Sequence, residues 1–251
     1  MACRVRAGPV RLDNLLAMLR ARSSSLALAV ALVAVGPLLS ACTADEPTVA
    51  LLVADGTDSS SRAVDVDVFT ERVEATCDEC RVRVYDAEGD ADAQKSQARQ
   101  AEATSADVVV VVPVEPDDLG TLTGSGLPVV SLGELVPGSD RHVGLRGGAV
   151  PSQSGSDLEA ARDVLLGEEE SMTYVPTRAM SERAADVAVA FLADAPAADG
   201  EVVDGVESWL YRDREVTVDS LTSVLVAQGV VDLDELCSGT TEKRCARLGL
   251  R

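Results

Sequence analysis

The residues of this chain best able to do chemistry are its six cysteines, its single histidine and two short runs of carboxylates. Cys77 and Cys80 bracket Asp78 and Glu79 in a C-x-x-C spacing, which could serve thiol–disulfide exchange if one thiol were held ionised. The two intervening acids work against a thiolate, so the spacing reads as a structural feature and not a redox pair. Asp86-Ala87-Glu88-Gly89-Asp90-Ala91-Asp92 gathers oxygens as a hard cation would want, yet lacks the alternate spacing and closing bidentate glutamate of a calcium loop. It reads as a turn in which Asp90 or Asp92 caps a following helix. Glu168, Glu169 and Glu170 read as a solvated turn. His142 stands alone, so it assembles no histidine metal cluster and no assured Ser–His pair. Asp55 and Asp58 could pair as carboxylates, although turns favour aspartate for local hydrogen bonding. No enzyme, metal site or cofactor emerges from these residues.

The element that must position everything else is Ala106–Val114, with five consecutive valines from Val108 to Val112. A strand with no polar residue to face water is buried on both faces, which belongs to a parallel sheet covered by helices on each side. Around it the pattern predicts strands at Val49–Ala54, Arg81–Tyr85, Leu127–Leu132 and His142–Leu145. Helices are predicted at Val64–Glu74, Asp90–Ser105 and, briefly, Asp117–Thr123. Asp55 to Ser61 reads as the turn after the first strand. Beyond a loop at 147–155 the pattern resumes as helix Asp157–Leu166, strand Ser171–Val175, helix Thr177–Ala193, a strand near Val206–Leu210 and helix Val218–Ala227. Alternation of strand and helix is the mark of a doubly wound, mostly parallel α/β sheet. In such sheets ligands sit beyond the carboxyl ends of the strands, so Pro113 to Asp118 should lie on the rim of any site.

Composition narrows the partners. Of 22 basic and 42 acidic residues, five arginines and one aspartate fall within 1–41, leaving 17 against 41 and a formal charge near −24 thereafter. That sign excludes nucleic acid as a natural partner, because phosphate binding needs the opposite one. Arg20 and Arg22 precede the apolar run Leu26 to Leu39 and then Leu39-Ser40-Ala41-Cys42, the layout of a secretory signal over 1–41. Met18 offers a second start with a more usual basic region, which would leave residues 1–17 untranslated. Gly36 and Pro37 make the run too short and interrupted for a membrane span of ~20 residues. Leu-Ser-Ala-Cys resembles the bacterial lipobox, which implies that Cys42 is lipidated and becomes the mature N-terminus, with 42–47 as its linker. The implied location is export to the outer face of the cell membrane, held by lipid.

Two blocks carry a wider resemblance. One is Phe69 to Val136, with Cys77-Asp78-Glu79-Cys80, Val111-Val112-Pro113-Val114 and Pro128-Val129-Val130-Ser131. The other is Asp157 to Leu250, with Gly167, Ser171-Met172-Thr173-Tyr174 and the tail cysteines Cys237 and Cys245. In order and spacing the chain resembles sugar-binding ABC-transporter lipoproteins of the xylose-binding type. The resemblance implies a type I periplasmic-binding-protein fold of two Rossmann-like lobes, a sugar or other small solute as ligand and an ABC permease as partner. Between the blocks, 147–155 stands where members carry most of a second lobe. The expectation is therefore one internally shortened lobe over 48–251, with 48–146 and 155–251 joined by that loop and the second lobe largely missing.

The polar residues that the family would place at the site are replaced here by Ser61 and Arg62, Gly133 and Glu134, Arg146 and Gly147, and Gly155 or Ser156. Candidate ligand-facing residues at the strand ends are Asp55, Thr57, Asp58, Arg62, Glu115, Ser131, Glu134 and Arg146. Trp209, Phe69 and the tyrosines are expected to fall away from those ends, which removes the aromatic face that sugars favour. Setting aside Cys3 and Cys42, four cysteines allow three pairings in an oxidising compartment. Closeness in sequence and the resemblance favour Cys77 with Cys80 and Cys237 with Cys245. The expected role is weak or altered solute binding, or else an envelope lipoprotein that binds partners and no small molecule.

Overall fold

A computed structural model describes residues 46–55, 63–148, 150, 156–195, 197 and 199–250. Its contacts divide the chain into units 1–43 and 44–251, and the described residues all lie in the second. The elements in chain order are β1 (Thr48–Val53), α1 (Val66–Thr76), β2 (Arg81–Asp86), α2 (Ala91–Ala103), β3 (Val108–Val111), α3 (Gly120–Thr123), β4 (Val129–Gly133) and β5 (Arg141–Leu145). There follow α4 (Asp157–Leu166), β6 (Ser171–Tyr174), α5 (Thr177–Leu192), β7 (Glu201–Val203), β8 (Val206–Tyr211), β9 (Arg214–Thr217), α6 (Leu233–Leu236) and α7 (Glu242–Leu248). Seven strands form one sheet in the order β2-β1-β3-β4-β5-β8-β7, parallel throughout except for β7. This is the doubly wound, mostly parallel α/β sheet that the valine run predicts.

Side chains alternate across a strand, and each face finds its own cover. Val108 and Val110 of β3, with Val49, Leu51 and Val53 of β1, pack under Phe69 and Val73 of α1 and Met180, Ala184 and Ala188 of α5. Val109 and Val111, with Ala50 and Leu52, pack against Ala98 and Ala101 of α2 and Leu122 of α3. Thr177–Leu192 returns to the face of the valine strand, where it packs on β3, β4 and β5 and beside α1. Arg72 on α1 also grips Asp186 on α5 through two hydrogen bonds of 2.7 and 3.1 Å. That pair is largely exposed, so it aligns the helices more than it stabilises them.

Local signals explain the helix starts. Asp65 accepts from Val68 N and caps α1, and Asp90 accepts from Asp92 N and Ala93 N and caps α2, in the turn expected. Ser156 and Glu159 form a reciprocal capping box on α4. One buried polar residue was not anticipated from the pattern. Gln94 is 1 % exposed, donates from Nε2 to Val112 O at 2.8 Å and accepts from Val114 N at 2.9 Å. It satisfies the backbone where β3 leaves the sheet, and so fixes the rim at Pro113.

A third core lies outside the main sheet. The chain leaves after β5 for α4 and β6, returns as α5, and leaves again after β8 for β9 and the C-terminal helices. Ser171–Tyr174 is a strand, as predicted, but it pairs antiparallel with β9 and not with the main sheet. Met172, Tyr174, Val216, Leu165 and Leu236 fill this core, with Cys237 bonded to Cys245 inside it. Arg244 donates to Leu165 O at the end of α4, and Arg162 on α4 donates to Glu235 O on α6, so each basic side chain closes the carboxyl end of another helix. The helix predicted over Val218–Ala227 is a shorter π-turn, Thr222–Val226. Ser220 Oγ accepts from Thr217 N and holds a turn over 217–220, which takes the first residues that the sequence pattern gives to helix. Cys77 and Cys80 are also bonded, across the α1–β2 turn, with Cα atoms 5.3 Å apart.

Replacing Gln94 with alanine leaves a buried carbonyl and an amide unpaired. The expected loss is about 2–3 kcal/mol, seen as a lower urea midpoint at unchanged slope. A change below ~0.5 kcal/mol, within the range of an ordinary surface substitution, would show that water replaces the side chain without cost.

Candidate functional site

The four strands β1, β3, β4 and β5 lie side by side, and their carboxyl ends set a common edge. Asp55, Glu115, Glu134 and Arg146 each stand just beyond one of these ends and are exposed. Thr57, Asp58, Arg62 and Cys42 lie outside the described residues. Arg146 is not available as a free donor, because its guanidinium holds Glu201 of β7 at 2.5 and 3.3 Å. The described edge therefore offers carboxylate acceptors with a donor already engaged. A hydroxyl-rich ligand needs donors and acceptors together, and groups buried without partners lose affinity.

Ser131 is placed differently from the other candidates. It is fully buried, and its Oγ lies 3.0 Å from His142 Nδ1, 3.1 Å from Ser139 Oγ and 3.3 Å from Arg141 O. Ser139 in turn donates to Val136 O at 2.9 Å. A neutral imidazole donating to Ser131, Ser131 to Ser139 and Ser139 to Val136 satisfies the chain in one direction. The structure thus does bring a serine to the lone histidine, but in the interior, where it ties β4, β5 and the 134–140 connection together. His142 can lie flat because Gly144 follows two residues on along the same face. A Cβ at Gly144 would meet the imidazole and would stand 2.6 Å from Gly133 O.

The reason for this polar cluster is the missing helix. Residues 134–140 join two neighbouring parallel strands in seven residues, too few for the usual crossover helix. On that face β5 and β8 carry His142, Gly144 and Ser208 where β1 and β3 carry leucine, valine and alanine. Sequence reasoning missed the cluster because His142 and Ser131 look unrelated until strand register pairs them. The expectation about aromatics is corrected at Tyr211 and holds for Trp209 and Phe69. Tyr211 ends β8 at the carboxyl edge, although its ring packs against the first core, and Trp209 is buried with Arg183 5.9 Å from its ring centre. The hairpin β7–β8 was missed too, despite Asp204-Gly205, a pair suited to a tight turn with positive φ at both positions (50° and 82°).

No protein-family model matches the chain, and no curated protein matches its sequence. Solved structures do match it in fold. One is an ABC-transporter solute-binding protein from Clostridium phytofermentans with bound β-D-glucose: 12% identity, TM-score 0.59, covering 75% of this chain and 99% of that one. A carbohydrate-transporter solute-binding protein from Chloroflexus aurantiacus in complex with D-glucose gives 12% identity and TM-score 0.59, over 75% and 97%. A third, from Bacillus halodurans C-125 with bound myo-inositol, gives 11% and 0.52, over 71% and 96%. The chain has the type I periplasmic-binding-protein fold. Its seven-stranded sheet corresponds to one lobe of that fold, and these three structures are solute-binding proteins.

Burial pushes the His142 imidazole down to about 4, with its contact to Ser131 opposing. Unfolded, the same ring takes up a proton near pH 6.5. Its contribution to stability is therefore complete above pH 6.5 and is lost as pH falls toward 4, by on the order of 3 kcal/mol in all. His142→Gln should be less stable at neutral pH yet lack this part of the acid slope. Parallel stability–pH curves for the two proteins between pH 7 and 4 would contradict the assignment.

Proposed function

We propose that this chain is an exported lipoprotein of solute-binding type, anchored through Cys42 at the outer face of the cell membrane, whose ligand binding is weak or altered. The observation that carries the reading is a type I periplasmic-binding-protein fold whose described carboxyl edge holds carboxylates at Asp55, Glu115 and Glu134 while Arg146 is spent on Glu201. Solved proteins of like fold are described with glucose and with myo-inositol, so a sugar or cyclitol is the natural class to test, and an ABC permease the natural partner.

The third core supports a reduced second lobe. It is built from segments that leave the main sheet after β5 and after β8, and the matched solved chains are covered almost end to end. Closure of two lobes on a ligand excludes water and completes its contacts, and a two-stranded remnant offers little surface for that. The same observation favours the second reading, an envelope lipoprotein that engages a partner and no small molecule.

Calorimetric titration with glucose, myo-inositol, xylose and other pentoses and hexoses separates these readings. Weak, millimolar heats fit altered binding, an absence of heat fits the interaction role, and micromolar affinity for a simple sugar would overturn both. For the anchor, Cys42→Ser should move the protein from the membrane fraction to the soluble one. A variant that stays membrane-bound to the wild-type degree would remove the lipid from the account.

A further inference from the structure

Where the α2–α3 face of the sheet reaches β5 and β8 and has no helix over it, a groove of about 520 Å³ lies between the 134–138 connection and the β7–β8 turn. Leu135, Val136 and Pro137 on one side and Val206 at the start of β8 give it an apolar wall. Glu134 and Asp204 also line it. They lie at opposite ends, because Glu134 follows the carboxyl end of β4 whereas Asp204 precedes the amino end of β8, which runs the same way. The length of β5 between them, four residue steps, is about 13 Å.

Neither carboxylate is in an ion pair among the described residues. The two arginines at the ends of β5 are taken by other acids of the β7–β8 hairpin: Arg141 holds Glu207 at 2.9 Å and Arg146 holds Glu201 at 2.5 Å. The groove is thus apolar along its length, negative at both ends and lined by no basic side chain. We infer that it is a binding site for a linear polyamine, with methylene segments against Leu135, Pro137 and Val206 and a terminal ammonium on each of Glu134 and Asp204. Such ends make charge-assisted hydrogen bonds, and the volume is that of a small-molecule site. The site goes beyond the solute reading and does not depend on it: it shares Glu134 with the carboxyl edge, but Asp204, Pro137 and Val206 lie away from that edge.

The test is calorimetry on the full-length protein purified in detergent, at about 0.15 M salt, where the general attraction of an acidic surface is largely screened. Spermine should bind at one saturable site. Glu134→Gln and Asp204→Asn should each weaken it about tenfold, a loss of ~1.4 kcal/mol, and the double variant should abolish it. Glutamine at 168, 169 and 170 together should leave it unchanged. 1,3-Diaminopropane, too short to reach both ends, should bind more weakly than spermine. Both groove carboxylates are exposed, so the variants fold, and circular dichroism checks that they do. An absence of saturable binding, equal affinity for the short diamine, or several equivalents lost equally with either set of substitutions would overturn the site in favour of a general acidic coat.

Discussion

A parallel strand without polar side chains has to be covered on both faces, and most of this structure results from meeting that demand for β1 and β3. Val108 to Val111 are fully buried, as are Val49 to Val53. One cover comes from α2 and α3, which follow directly in sequence. The other needs α1 and also α5, which lies beyond the segment that forms α4 and β6. The first core therefore depends on the chain coming back as α5 after its excursion through α4 and β6. Small residues on α5, Ala184, Ala185 and Ala188, let it lie close to the sheet.

The demand weakens toward β5 and β8, and there the sequence changes character. With no crossover helix on one side, burial is achieved with a serine–histidine–serine chain and a glycine in place of branched apolar residues. Buried hydroxyls and an imidazole are costly unless fully partnered, and here the partners are one another and the Val136 carbonyl. On this face the β5–β8 half of the sheet is held by hydrogen bonds, one of them to a histidine, whereas the valine half is held by packing.

The same division decides how much of the structure was legible in the sequence. The valine strand, its neighbours and the capped helices α1, α2 and α4 declare themselves because hydrophobic period and caps are local. β7, β9 and the π-turn at 222–226 were hidden because each is short and defined by its pairing partner. Strand Ser171–Tyr174 was visible but its sheet was not, since its residues alternate in the same way whether they join seven strands or one. For the candidate site, the exposed positions Asp55, Glu115, Glu134 and Arg146 are set by strand ends alone. Ser131 could not be told from them, because one register step, to His142, decides that its hydroxyl points into the protein.

The scaffold keeps the fold of solute-binding proteins, and on the reading proposed above the features that make a sugar site, convergent donors and a second wall that closes, are reduced. Small-angle scattering on residues 44–251 with and without D-glucose and myo-inositol addresses that claim directly. The account predicts a single compact particle with a radius of gyration near ~17 Å, as size scaling gives for about 210 residues, unchanged by either compound. A larger, two-bodied particle that contracts when a sugar is added would contradict it.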